Sequence, residues 1–337
     1  MTQSAIRDIN FLAARLHGRR SALAEGARLD ELCRLRTVGE LCHALEIEAG
    51  SPPTADAFQR RVLADYADEL RALAEGVPAE YAAFFEWQRY RFHVENAKVV
   101  LRGLWARRPT AEINARLVGE SLPDDFQGPA DLPADPVALA RMTDLDPCIL
   151  ATVAGAAETY ARLPSLFTLE SLLDAGYLAE LLRRAARCRG DEGGVRALAG
   201  QEAATFLTML ALRGAGNYRL PAALLGAFYV EGAPLSRAAF ARLAAASPDE
   251  APELAAGIAF DALPPGAGVQ DVEAACWGRY LRLANRLFRR GHMNVAAVAG
   301  FLGIRRIEVA NLITLSEGLR LGMDGHALRA RLIPRET

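Results

Sequence analysis

Along most of the chain apolar residues return every three or four positions, the spacing of one helix face rather than the alternation of a strand. Over residues 6–24, Ile9, Leu12, Ala13, Leu16 and Leu23 fall near one stripe, with Arg15, Arg19 and Arg20 off it. Shorter helices are expected over 29–35 and 38–45. The loop at 49–53, Ala-Gly-Ser-Pro-Pro, leads into Thr54, whose hydroxyl suits an N-cap, and Asp56, whose charge suits a helix's first turn. Phe58, Val62, Tyr66, Leu70 and Leu73 then follow at helical spacing until Gly76 and Pro78 break the pattern. Another helix is predicted over 79–104, stopping at Arg107-Arg108-Pro109.

Residues 119–136, GESLPDDFQGPADLPADP, form the clearest connector. The Asp124-Asp125 pair sits there rather than on a long helix, so it reads as turn chemistry and not as a magnesium-binding motif. Helices resume at Val137, with a well-formed one over 168–187, a loop at 188–194 and a helix over 199–212. Further breaks are expected at 213–221, 247–252 and 263–268. Two last helices cover 269–290 and 304–321, with an apolar segment between them. No stretch sustains strand alternation. Gly266-Ala267-Gly268 lacks the third glycine of a dinucleotide loop, and Arg213–Asn217 has no following Lys-Ser/Thr, so neither is a phosphate loop.

Composition narrows the class. Hydrophobic residues make up 51% of the 337 and lean on Ala and Leu, which lose little side-chain entropy in a helix. A net charge of −2 argues against a nucleic-acid binder, and the arginines are interspersed with acids, as on solvated helix faces. The five cysteines, Cys33, Cys42, Cys148, Cys188 and Cys276, form no CxxC pair and fit reduced thiols. Cys33, Cys42 and His43 lie among leucines and read as packing positions rather than a metal site. The N-terminus lacks the apolar run of a signal peptide, and no segment reaches a membrane span. His17, His43, His93, His292 and His326 are scattered, and no nucleophile motif accompanies them. No catalytic residue, metal site or cofactor is expected.

One internal pattern outweighs these. VENAKVVLRG (94–103) and VANLITLSEG (309–318) share Val94 with Val309, Asn96 with Asn311 and Gly103 with Gly318. TFLTMLALRG (205–214) repeats the Leu-Arg-Gly ending of the first. The glycines Gly103, Gly214 and Gly318 stand 111 and 104 residues apart, each step near a third of the chain, which points to three related helical units.

At these residues the chain resembles the C/d family of V/A-type ATPase central-stalk proteins, named C in prokaryotes and d in eukaryotes. The closing segment at 303–332 is similar to that family's signature through Glu308, Asn311, Leu312, Glu317 and Gly318. FHVENAKVVLRG resembles its Asn-x-Lys-x-x-x-Arg helix through Asn96, Lys98 and Arg102. LESLLDAGYLAELLRRA resembles its Leu-Asp-x-x-Tyr-Phe helix through Leu173, Asp174, Tyr177 and Leu178. Departures are Glu46-Ile47-Glu48 after Leu45, His93 where an acid is usual, and Leu207 in place of the asparagine. The resemblance implies an all-α fold of three related helical units arranged with pseudo-threefold symmetry around a central funnel-like cavity. The units would be residues 1–118, 137–220 and 221–335, with 119–136 the connector. It implies a non-catalytic rotor adaptor on the cytoplasmic face of the membrane, joining the D/F shaft subunits to the proteolipid ring for ATP-linked proton or sodium transport. The alternative is a helical-repeat scaffold for another protein.

The signature residues are expected to serve mainly structure. Asn96 and Asn311 are expected on buried helices, their amides bonding to neighbouring backbone, with partner contact as the other reading. Glu308, three residues before Asn311, faces the same side of its helix. Arg102, Arg107 and Arg108 cluster where the first long helix ends, either complementing its C-terminus or meeting an acidic partner. Arg107 and Arg108 are the candidate partner contacts. The aromatics Tyr81, Phe84, Phe85, Trp87, Tyr90 and Phe92 spread around their helix, partly as core.

Overall fold

A computed structural model describes residues 9–123, 126, 132–189, 193–247, 249–259, 263, 266–291 and 294–333. Asp124, Asp125 and His292, and much of the connector, lie outside the described residues. Every regular element among those described is helical. In chain order these are α1 (Ile9–Arg20), α2 (Ala27–Leu32), α3 (Val38–Ala44), α4 (Ala55–Gly76), α5 (Ala79–Trp105) and α6 (Thr110–Asn114). Then come α7 (Pro136–Arg141), α8 (Pro147–Gly155), α9 (Ala157–Arg162), α10 (Leu166–Ala185), α11 (Gly194–Gly216) and α12 (Ala222–Leu225), the last running into a 3-10 turn at Gly226–Phe228. The chain closes with α13 (Arg237–Ala245), α14 (Ala251–Ala259), α15 (Val269–Arg290), α16 (Val295–Arg320) and α17 (Gly325–Arg329).

Side-chain caps fix where many of these helices begin. Thr54 Oγ1 accepts from the Ala57 N–H at 3.2 Å and Ser165 Oγ from Thr168 at 3.2 Å. Asp324 does the same for Ala327 at 2.9 Å. Each satisfies a donor that the first helical turn leaves unpaired and contributes about 1 kcal/mol.

The structure departs from the sequence pattern where helices are buried all round. The apolar segment before Ile304 is not a connector: α16 begins at Val295, capped by Asn294 Oδ1 on the Ala296 N–H at 2.8 Å. Val295 to Ile304 are all buried, so no polar face exists to give the stretch a period. A different cause extends α11, which starts five residues before the expected Ala199 and absorbs Arg213 to Gly216: Arg196, Ala197 and Arg213 are exposed there, and it is the glycines Gly194, Gly214 and Gly216 that read as breaks. Pro252 falls in the first turn of α14, where its missing N–H costs nothing, rather than in a break.

Two compact units divide the chain, with boundaries inside α5, α11 and α15. The first comprises Met1–Glu86, Cys188–Leu198 and Trp277–Thr337. Here α16 packs against α1, α3 and α4. Gly300 lets α16 approach the backbone of α15, since a Cβ there would lie 2.5 Å from the Phe288 nitrogen and 2.6 Å from the Ala284 oxygen. The second comprises Trp87–Arg187 and Ala199–Cys276. In it α10 packs against α8, with α7 and α9 beside α8 and α12 against α13.

Candidate functional site

Of the signature residues, Asn96, Asn311 and Gly318 belong to a structural joint that occurs twice, each time in the C-terminal part of a long helix. On α5, Asn96 Nδ2 donates to the Val118 carbonyl at 3.0 Å while its Oδ1 accepts from the Val118 N–H at 3.0 Å. On α16, Asn311 Nδ2 donates to the Ile333 carbonyl at 3.3 Å and Oδ1 accepts from the Ile333 N–H at 2.9 Å. In both cases the residue clasped lies 22 positions further along. Each asparagine is 4% exposed, so its amide acts as a substitute strand edge in a place water does not reach.

Between each asparagine and its partner the chain makes the same turn. After α5, the Arg108 N–H bonds to the Gly103 carbonyl at 2.8 Å and the Arg107 N–H to the Leu104 carbonyl at 3.0 Å. After α16, Met323 bonds to Gly318 at 2.9 Å and Gly322 to Leu319 at 3.0 Å. This pair of bonds is the Schellman closure of a helix, with Arg107 (φ 52°) and Gly322 (φ 69°) in the left-handed position it requires. The short helix that follows lies against the glycine. A Cβ on Gly103 would sit 2.5 Å from Ile113 Cγ1 of α6, and one on Gly318 would overlap Leu328 of α17. On α11, Gly214 stands in the same relation to Leu225 of α12, at 2.5 Å. Leu207, in the place of the asparagine, is fully buried and offers no amide.

A second group of residues ties α5 to α10. Lys98 Nζ reaches Asp174 at 2.9 Å and Glu95 at 2.8 Å. Burial disfavours the ammonium, but Asp174 and Glu95 outweigh it and hold its pKa above the usual lysine value. Arg102 grips Glu170 bidentately at 2.6 and 2.7 Å. Arg213 of α11 repeats this pairing with Glu273 of α15 at 2.6 Å. Tyr177 takes a bond on its hydroxyl from Arg91 at 3.1 Å and gives its carbonyl to Trp87 Nε1 at 2.9 Å. Arg91 also pairs with Glu202. Tyr90 stacks on Trp87 at 4.6 Å and accepts from the Asp146 N–H at 2.6 Å. Burial pushes the Tyr90 phenol up to about 12, so it stays neutral.

Glu308 and Asn311 share a helix face but act in different directions. Glu308 accepts from the Ala24 N–H at 2.6 Å and from Arg305 at 2.7 Å. Arg305 also reaches Glu69 of α4 at 3.0 Å. Burial works against the Arg305 charge, yet Glu308 and Glu69 hold its pKa above the usual value. Glu317 is exposed to a larger degree and pairs with Arg320 through its Nε at 3.0 Å. Arg108 pairs with Glu112 at 3.1 Å. The sequence pattern missed Glu69, Arg91, Glu202 and Arg305: Arg91 meets Glu202 across 111 positions and Arg305 meets Glu69 across 236, so no local spacing marks those pairs.

Among the described residues no three His, Cys, Asp or Glu side chains gather as metal ligands. Cys33 and Cys42 are buried packing residues. No helix among the described residues is long and apolar enough to cross a membrane. What recurs among the described residues are joints between helices.

The family model for the ATP synthase (C/AC39) subunit matches residues 12–331. The chain belongs to that family: it is a non-catalytic structural subunit associated with V/A-type ATPase complexes. No curated protein matches the sequence.

Proposed function

We propose that this protein is the rotor adaptor of a V/A-type ATPase, coupling the D/F central shaft to the proteolipid ring for ATP-linked proton or sodium transport. The family match over residues 12–331 carries the reading. The twofold Asn–Schellman–glycine joint, and its partial third copy on α11, support three related helical parts at 1–118, 137–220 and 221–335, set with pseudo-threefold symmetry around a funnel-like cavity. In this reading Asn96, Lys98, Arg102, Asp174, Tyr177, Glu308, Asn311, Glu317 and Gly318 keep the body stiff. A rotor part that transmits torque must not yield at its joints, and dense helix packing backed by buried polar clasps meets that demand. The protein would lie peripheral to the membrane, on its cytoplasmic side, held there by the complex.

The test is affinity purification of the tagged protein from its native membranes, followed by mass spectrometry. Recovery of a proteolipid together with the D/F shaft proteins is the expected result. Stoichiometric recovery of other proteins without them would overturn it in favour of a helical scaffold acting outside a rotary ATPase.

A further inference from the structure

The chain carries a net charge of −2, but the charge is unevenly spread. Three short segments stand out: 102–109 at the end of α5, 158–167 across the corner between α9 and α10, and 213–220 at the end of α11. Together they contain six arginines and a single acid, Glu158. Three of the arginines are neutralised, Arg102 by Glu170, Arg108 by Glu112 and Arg213 by Glu273. Arg107, Arg162 and Arg219 are exposed and have no acidic partner among the described residues.

All three segments belong to the second compact unit, and aromatic residues bring them together. Trp105 lines one cavity with Pro164. The Tyr218 ring rests on Phe167, three residues beyond Pro164, with the centroids 4.1 Å apart. Trp105 is 41% and Tyr218 53% exposed, two of the four large apolar side chains so placed among the described residues. Neither the Trp105 indole nor the Tyr218 hydroxyl bonds to another described residue, so each ring has a polar tip left to solvent. Arg107 and Arg219 both stand at φ 52°, in left-handed backbone that strains a residue with a Cβ. Such strain gathers where a side chain has a task.

Exposed aromatic rings with polar tips, set among unpaired arginines, suit the layer where lipid phosphates meet acyl chains. A partner helix would call for a groove or one continuous apolar stripe, whereas Trp105 and Tyr218 stand at the ends of two different helices. We propose that this corner of the second unit docks on an anionic phospholipid surface, with Trp105 and Tyr218 in the headgroup layer and Arg107, Arg162 and Arg219 on its phosphates. This docking deepens the rotor assignment and rests on it for the presence of a membrane. Vesicle binding is read on the isolated chain, so it can fail while the D/F proteins are still recovered, and the reverse.

The probe is a pair of large unilamellar vesicles, one of phosphatidylcholine alone and one with phosphatidylserine mixed in, each incubated with the full chain and separated by flotation. The chain should float with the anionic vesicles and not with the neutral ones, and added salt should release it. Arg107→Gly/Arg162→Gln/Arg219→Gly should weaken anionic binding about tenfold or more, the scale of three basic side chains at such a surface, while keeping a native melting transition. Lipids brominated near the headgroup should quench part of the tryptophan emission of the native chain and less of that of Trp105→Leu. Equal binding to both vesicles, or anionic binding untouched by the triple variant, would overturn the proposal. A chain that ignores both vesicles would overturn it too, and its capture of soluble poly-glutamate would assign the corner to an acidic protein instead.

Discussion

The amide of Asn311 gives a hydrogen to the Ile333 carbonyl and takes one from its N–H, so a single side chain completes both halves of a backbone pair. Removing it strands both groups in a site the asparagine almost fills. Asn311→Ala should therefore lower the unfolding free energy by about 1–3 kcal/mol, measured by urea denaturation. Asn96 offers a sharper version, because its Nδ2 also meets Glu120 Oε2 at 3.1 Å. Asn96→Asp keeps the shape but sets carboxylate against carboxylate, and should be more destabilising at neutral pH than near pH 4, where acids begin to neutralise. A deficit equal at both pH values would mean that Glu120 turns away and the clasp to Val118 alone sets the cost.

At the scale of elements, the joint depends on how closely a short helix can approach a long one. Ile113 of α6 belongs to a small cluster with Val100, Leu104 and Leu117, and it rests where a side chain on Gly103 would be. Gly103→Ala gains helix propensity, about 1 kcal/mol, but forces Ile113 out of its packing, at a cost of about 1–3 kcal/mol. A net loss is expected. The double variant Gly103→Ala/Ile113→Ala should be more stable than the two single losses added together, because the first side chain fills the space that the second vacates. Strict additivity in chemical denaturation would show that α6 shifts freely.

The sequence made part of this readable. Val, Asn and Gly recurred at matching places because those residues must stand on one helix in fixed order. What they touch was not readable, because Val118 and Ile333 are reached through backbone atoms that any residue could supply. The left-handed turn could be seen after α16, where Gly322 marks it, but not after α5, where Arg107 hides it. Arg91 and Glu202 meet across 111 positions and carry no motif. The same limit hid the start of α16: with every face buried, its first turns lack the alternation of wet and dry that reveals a helix.

For the molecule as a whole, one buried carboxylate, Glu180, ties part of its stability to pH. Burial alone would raise the Glu180 carboxyl, but Arg183 and Arg184, at 2.5 and 2.6 Å, outweigh it and bring the pKa below the ordinary 4.5. A carboxyl with a depressed folded-state pKa contributes stability that is present above the unfolded value and lost as pH falls through the folded one. Glu180→Gln should thus be less stable than the native chain at pH 7, with the gap closing as pH drops below about 4.5. A gap that stays constant from pH 5 to pH 3 would mean that the arginines find other acceptors. The chain also contains a substitution of its own. Where α5 and α16 carry asparagine, α11 carries Leu207, while Gly214 and Leu225 keep their close approach. If the three segments descend from one ancestor, the steric half of the joint has outlasted the polar half, and Leu207 marks the copy in which evolution has already tried life without the clasp.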